Sequence, residues 1–164
     1  MAEAFGPQTQ RLFMEKLGLL DRLPLELPEI GRPLTPRQWK RIETMTVSYG
    51  HGISISPVHL ASAVGAASGD GLWVTPTLLK RQTGDNPIKT RVFSTETTRN
   101  VRSMMRLVVS HPDGTGNFAE APGYMVGGKT GTAEKILGNG YNKRPIWQLL
   151  SPPFRLMTHA TFWR

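Results

Sequence analysis

Apolar positions along the chain recur at helical spacing in some stretches and alternate with polar ones in others. Leu12, Phe13, Leu17 and Leu20 share a helical face, which predicts a core-packing helix over 8–17 behind Phe5-Gly6-Pro7, with Gly18 as its stop. Residues 21–39 carry Pro24, Pro28, Pro33 and Pro36, cannot hold a long helix, and read as a surface excursion. Residues 39–46 read as a short strand or as the run into the next stretch. Ile53 and Ile55 alternate with Ser54 and Ser56 as in a short strand. Ser56 suits an N-cap and Pro57 the first helical position, opening a helix to about Ser68. Leu60, Ala61 and Val64 fall on its apolar face, its small residues suit close packing on a sheet, and Gly69-Asp70-Gly71 closes it. Residues 72–79 and 87–93 read as strands of a hairpin turning at Thr83-Gly84-Asp85-Asn86. Pro76 places the first of them at an edge. Ser94 caps a helix over 95–109 with Val101, Met104, Met105 and Val108 as its buried stripe and Arg99, Arg102 and Arg106 outside. A loop at Gly114-Thr115-Gly116 precedes a strand over 124–135.

Composition bounds what this pattern can build. The 164 residues make at most one ordinary domain, and 38% hydrophobic with 20% charged residues is globular rather than disordered. There is no cysteine, so neither a disulfide frame nor a thiolate metal site is available. No apolar run approaches the roughly 18 residues of a membrane span, and residues 1–5 lack a basic stretch leading into an apolar one. The net charge of +8 raises the possibility of nucleic acid or an anionic surface as partner. Its distribution argues against both: residues 136–164 hold Lys143, Arg144, Arg155 and Arg164 and no acidic residue, so part of the excess belongs to the tail.

The chemistry concentrates in Gly127-Gly128-Lys129-Thr130-Gly131-Thr132-Ala133, a compact anion-handling element. On a strand the Thr130 and Thr132 hydroxyls share a side, and Gly131 between them lets a ligand approach. Gly123 to Thr130 also fits the phosphate-loop pattern G-x-x-x-x-G-K-[ST] letter for letter, which would make a nucleotide binder. That pattern needs a strand before it and a helix opening at Lys-Thr. Loop residues precede this one and a glycine follows it. The favoured reading is the Lys-Thr-Gly strand of serine acyl-transfer enzymes inactivated by penicillin. A plain basic surface strand is the bland alternative. Gly50 and Gly52 bracket His51 in a tight bend within Ser48-Tyr49-Gly50-His51-Gly52. His51 has no acid partner nearby, so a structural hydrogen-bonding role outweighs a general-base one. The same holds for His59 and His111, and no histidine pair has metal-ligand spacing.

Taken in order, Ser-Tyr-Gly-His-Gly-Ile-Ser-Ile-Ser-Pro, a small-residue helix, a hairpin, a helix, Gly-Thr-Gly and Gly-Gly-Lys-Thr-Gly-Thr-Ala resemble the C-terminal part of a class B penicillin-binding protein, the division-type peptidoglycan D,D-transpeptidases above all. The resemblance covers about 1–143. It implies an α/β fold, the serine β-lactamase/transpeptidase α+β sandwich of an antiparallel sheet with helices on both faces. It implies cell-wall cross-linking through a serine that attacks the penultimate D-alanine of a peptidoglycan stem peptide, with β-lactams acylating the same serine. Lys129, Thr130, Gly131 and Thr132 match the substrate-binding strand, the threonines holding the terminal carboxylate and Lys129 supplying positive potential. Ser48, Tyr49, Gly50, Gly52, Gly114, Thr115 and Gly116 match structural positions near the site. The resemblance brings no metal, no cofactor and no nucleic acid. It brings divisome or elongation proteins as partners, and an inner-membrane anchor with a periplasmic domain. The chain itself lacks an anchor or signal and would be cytoplasmic if made as written.

Two departures accompany this resemblance. No serine has a lysine three residues later and no Ser-x-Asn occurs, so the nucleophile, its base and the second motif of the family are absent and no acylation by this chain alone is expected. The family strand after Lys-Thr-Gly is missing too, and residues 144–164 read as a non-homologous, disordered tail produced by a change of frame near Lys143. With one choice of synonymous codons, 148–163 read two bases on gives Thr-Phe-Val-Ala-Ala-Phe-Pro-Thr-Asp-Asp-Pro-Arg-Tyr-Val-Leu, which resembles the family's next strand-turn-strand. The Lys-Thr-Gly strand is then expected to keep an unpaired edge and to lack the upstream segments that cover it, and the chain to fold poorly or aggregate.

Overall fold

The computed structural model describes residues 2–82, 84–133, 136–137, 140–141, 147–150 and 154–155, and side chains over 3–82 and 84–131. The chain divides into two compact units, Met1–Thr95 and Glu96–Arg164.

The first unit opens with α1, Ala2–Lys16, kinked at Gly6 so that Pro7 begins its regular part. Gly18 ends it with φ of 69°, as the apolar spacing and the glycine together require. Residues 39–46 contain no strand: α2 spans Arg41–Ser48. Its β-branched residues favour extended backbone when read alone, but Thr44 and Val47 are buried and Gln10 of α1 donates from Nε2 to the Thr44 carbonyl at 3.0 Å. Trp39 Nε1 donates in turn to Gln10 Oε1 at 2.8 Å. Tertiary contact has overridden local preference. The expected strand at Ile53–Ser56 reduces to one antiparallel bridge between Leu34 and Ser54.

Helix α3, Pro57–Ser68, starts as its sequence dictates, with Ser56 Oγ accepting from the His59 amide and Pro57 in the first turn. Its buried residues are His59, Ala63, Ala66 and Ser68, whereas Leu60 is 37% exposed and Ala61 is exposed, so the expected apolar face at Leu60 and Ala61 is corrected to the His59, Ala63 and Ala66 face. The small side chains do permit close packing. Ala63 and Ala66 join Leu17 and Leu19 in the core, with Met14, Leu20, Ile55, Trp73, Val92 and Phe93 packed around them. The hairpin is present but shorter than expected: β1, Leu72–Val74, pairs antiparallel with β2, Lys89–Arg91, Trp73 facing Thr90. Pro76, with no N–H to donate, lies just beyond the end of β1.

The second unit is built on α4, Thr95–Ser110. Thr98 and Val109 are its buried residues, and Met104, expected in the stripe, is 59% exposed. A short 3-10 turn, Asn117–Ala119, leads to β3, Val126–Gly127, and β4, Thr130–Ala133. The single strand expected over 124–135 is therefore broken at Gly128 and Lys129, and Lys135 lies outside the described residues. Four further strands follow: β5, Ile136–Leu137; β6, Gly140–Tyr141; β7, Trp147–Leu150; and β8, Phe154–Arg155. All pairings are antiparallel, as the α/β sandwich class requires, and form separate two-stranded ladders among the described residues.

The expectation of an unpaired edge is overturned. Trp147–Leu150 takes the edge of β4, with Thr130 opposite Leu150 and Thr132 opposite Gln148. An open strand edge offers unpaired N–H and C=O groups to any extended segment that can reach it. Strands β7 and β8 both fall in the 144–164 tail expected to be disordered.

Candidate substrate-binding site

The site is assembled from the C-terminal end of α4 and the strands after it. Helix α4 stops in a loop that satisfies its last carbonyls, which otherwise have no intrahelical partner. The Gly114 amide donates to the His111 carbonyl at 2.8 Å and the Gly116 amide to the Val108 carbonyl at 3.0 Å. Asn117 Nδ2 donates to the Val109 carbonyl at 3.0 Å. The loop hugs the helix so closely that a Cβ at residue 114 would collide with the Val108 carbonyl oxygen and sit 2.8 Å from that of His111. Glycine is required there for space.

The same helix carries β3 and the start of the Lys-Thr-Gly segment. Val126, Gly127 and Gly128 are buried, and the Gly128 amide donates to the Met105 carbonyl at 3.1 Å. Arg106, expected on a solvated face, is half-buried and fastens three elements. Its guanidinium donates to the Val126 carbonyl at 2.8 Å and holds both Glu120 oxygens, at 2.6 and 3.0 Å. The hydrogen bond from Arg106 keeps the Glu120 carboxyl below its ordinary range, and Glu120 likewise raises Arg106. Neither residue was legible as a site member, because they lie 14 positions apart with no motif joining them.

Thr130 opens β4, half-buried, and its Oγ lies 2.9 Å from Thr115 Oγ. The structure thus brings the Gly-Thr-Gly loop and the Lys-Thr-Gly strand together through their threonines. Lys129 is exposed, and its Nζ donates to the Thr130 carbonyl at 2.6 Å. Gly131 follows, exposed, in β4. Thr132 occupies the same strand, and its side chain lies outside those described. An exposed ammonium beside a hydroxyl at a strand start can receive a carboxylate by charge and hydrogen bond together.

The remaining expected positions belong to the first unit. Ser48 ends α2, Tyr49 caps it, and Gly50 and Gly52 turn the chain around His51 with φ of 95° and 81°. His51 is exposed, its ring edge-on to Tyr49 at 5.4 Å. His59 is 1% exposed; its Nδ1 lies 2.7 Å from Ser56 Oγ and its Nε2 3.0 Å from the Asp21 carbonyl, a structural tie as read from the sequence. His111 is exposed at the end of α4, 3.8 Å from the Asp113 carboxylate. Among the described residues no three His, Asp or Glu side chains gather as a metal site, and no helix is long and apolar enough to cross a membrane.

The phosphate-loop alternative fails on local structure. Thr130 begins a strand where that motif needs a helix to present its amides. Here a strand begins at Thr130 instead, joined through its hydroxyl to the Gly-Thr-Gly loop that follows α4. Residues 1–148 match the family described as penicillin binding protein transpeptidase domain, and the chain belongs to that family. It is 40% identical over 136 residues to a protein named probable peptidoglycan D,D-transpeptidase FtsI from Caulobacter vibrioides, covering 82% of this chain and 23% of that protein. The transpeptidase domain of penicillin-binding protein 3 from Burkholderia pseudomallei superposes with a TM-score of 0.77 at 39% identity, covering 86% of this chain and 43% of that one. Penicillin-binding protein 3 from Mycobacterium tuberculosis, in complex with ampicillin, superposes with a TM-score of 0.73 at 30% identity over 84% of this chain and 34% of that one. The chain thus spans under a quarter of the length of the curated relative from Caulobacter.

Proposed function

We propose that this chain supplies the carboxylate-binding strand of a peptidoglycan D,D-transpeptidase, with Lys129, Thr130, Gly131 and Thr132 receiving the terminal carboxylate of a stem peptide or of a β-lactam. The observation that carries the reading is the Thr130 hydroxyl at the start of β4, beside the exposed Lys129 and fixed at 2.9 Å from Thr115. The ampicillin complex of the mycobacterial relative supports a β-lactam as the alternative ligand. In the full reaction a serine hydroxyl adds to the penultimate D-alanine carbonyl and the terminal D-alanine leaves. An amine from a second peptide then displaces the serine oxygen, forming the cross-link. No Ser-x-x-Lys or Ser-x-Asn occurs in these 164 residues, so they contribute binding and positive potential, and the acylating serine comes from elsewhere. Ser48, Tyr49, Gly50, Gly52, Gly114 and Gly116 serve as structural positions, and the assembly partners are proteins of division or elongation at the membrane surface.

The test is a titration followed by amide NMR, using N-acetyl-D-alanyl-D-alanine and its C-terminal amide. Shifts centred on 128–132 with the acid and much weaker ones with the amide are the expected result. Equal responses, or shifts elsewhere, would overturn the reading. A fluorescent penicillin is expected to leave this chain unlabelled, and a covalent adduct would show a nucleophile that the sequence reading missed.

A further inference from the structure

The two hydroxyls at the site carry two protons, of which only one lies between the oxygens, and the choice of donor decides what Thr130 can do. If Thr130 donates to Thr115, its proton is spent and its lone pairs face any incoming anion. If Thr115 donates, the Thr130 proton is free to point at a ligand oxygen. A carboxylate only accepts, so the second arrangement alone is productive.

We propose that Thr115 is a positioning residue: it donates its hydroxyl proton to Thr130 Oγ, and so fixes Thr130 as a donor to the ligand carboxylate. The inference rests on the carboxylate-binding reading above and deepens it. The geometry on both sides supports it. Thr115 sits in a loop held at each neighbouring residue, the Gly114 amide on the His111 carbonyl and the Gly116 amide on the Val108 carbonyl. Gly114 has no room for a Cβ, and one at Gly116 would lie 3.3 Å from the Val108 side chain, so the loop cannot shift toward the helix. Thr130 is held through its main chain by the ladder to Leu150 and by the Gly128 amide on the Met105 carbonyl two residues earlier. The 2.9 Å Oγ separation is therefore set by two backbones that are each anchored on α4. A hydroxyl that accepts one hydrogen bond is polarised into a better donor, so Thr115 strengthens the Thr130 contact as well as orienting it. Thr115 makes no contact with the ligand itself in this scheme and acts only through Thr130.

The experiment compares the full chain with Thr115→Val, which keeps shape and removes the donor, and with Thr115→Ser, which keeps the donor. Each is titrated with N-acetyl-D-alanyl-D-alanine and with its C-terminal amide, and amide spectra without ligand confirm the fold. Thr115→Val is expected to weaken binding of the acid by roughly two- to tenfold, the worth of the neutral Thr115–Thr130 hydrogen bond that aligns and polarises Thr130, and to leave the amide little changed. Thr115→Ser is expected to restore the preference for the acid. A wild-type preference that survives Thr115→Val overturns this inference alone. Equal loss for acid and amide also overturns it, because a merely structural residue would act on both. A wild-type chain with no preference overturns the carboxylate reading and the inference with it. If Thr115→Val fails to fold, Thr115→Ser decides: retained preference supports donation by the hydroxyl, and lost preference overturns it.

Discussion

Replacing Arg106 with alanine removes a side chain that ties α4 to Glu120 after the 3-10 turn and to β3, so it tests how the site is held. Three contacts are lost: one to the Val126 carbonyl at 2.8 Å and two to Glu120 at 2.6 and 3.0 Å. They are unequal. Val126 is 5% exposed, so its carbonyl has little water to turn to, and losing its donor costs about 1–3 kcal/mol. The Glu120 side chain is 42% exposed and can be rehydrated, so its share is minor. Arg106→Ala is therefore expected to lower stability by about 1–3 kcal/mol in urea titrations followed by circular dichroism, and Glu120→Gln by clearly less. The loss should be local as well. Exchange of the Gly128 amide, which depends on α4 staying against the strand, should accelerate more than that of amides in α1. The pH dependence follows from the same geometry. The carboxyl of Glu120 is held below its ordinary range by the Arg106 hydrogen bond, so its contribution is present at neutral pH. That contribution is lost as the pH falls below the ordinary carboxylate value of 4.5 through the lowered folded one. The gap between wild type and Glu120→Gln should close over that acid range, while the Val126 part of the Arg106→Ala loss persists. A cost for Arg106→Ala below about 0.5 kcal/mol, or a cost for Glu120→Gln equal to it, would refute the reasoning, since the buried carbonyl would then carry none of the weight.

Three other outcomes follow from the structure. Gly114→Ala should destabilise by about 1–3 kcal/mol, because the new methyl meets the Val108 and His111 carbonyl oxygens, both on the backbone and unable to move aside cheaply; thermal unfolding of the variant checks this. His59→Ala should cost about 2–4 kcal/mol by leaving the Asp21 carbonyl and a buried cavity behind, whereas His59→Gln, which can still donate, should cost less; urea midpoints of the pair decide. The DNA across codon 143 is expected to carry the Phe-Pro-Thr-Asp-Asp-Pro-Arg-Tyr segment in the alternative frame, and sequencing that finds no such segment would end the frame-shift reading of residues 144–164.

What was readable from the sequence was whatever depends on neighbours in the chain. Ser56 and Pro57 fix the start of α3 through contacts within three residues, and Gly18 ends α1 through its own φ, so both fell where expected. The Lys-Thr-Gly strand and the Gly-Thr-Gly loop were likewise legible, each as a run of adjacent residues. What was not readable depends on partners far along the chain. Residues 41–48 hold Ile42, Thr44, Thr46 and Val47, which locally favour a strand; in the fold they are helical, started by the Lys40 amide on Glu43 Oε2 at 3.0 Å and held by Gln10, 34 positions earlier, on the Thr44 carbonyl. Periodicity placed Arg106 outside its helix, and by hydrophobicity alone that is sound. A guanidinium, however, can bury its stem and spend its head on a carbonyl and a carboxylate that only the folded chain brings near. The same limit governs the site itself. The sequence presents two threonines in two motifs 15 residues apart. Only the tightness of the α4 terminus and the placement of β4 turn them into a donor and an acceptor. In the proposed carboxylate-binding scheme the strand therefore depends on the uncharged Gly-Thr-Gly, and substituting Thr115 should alter ligand preference while leaving every residue of Lys-Thr-Gly-Thr in place.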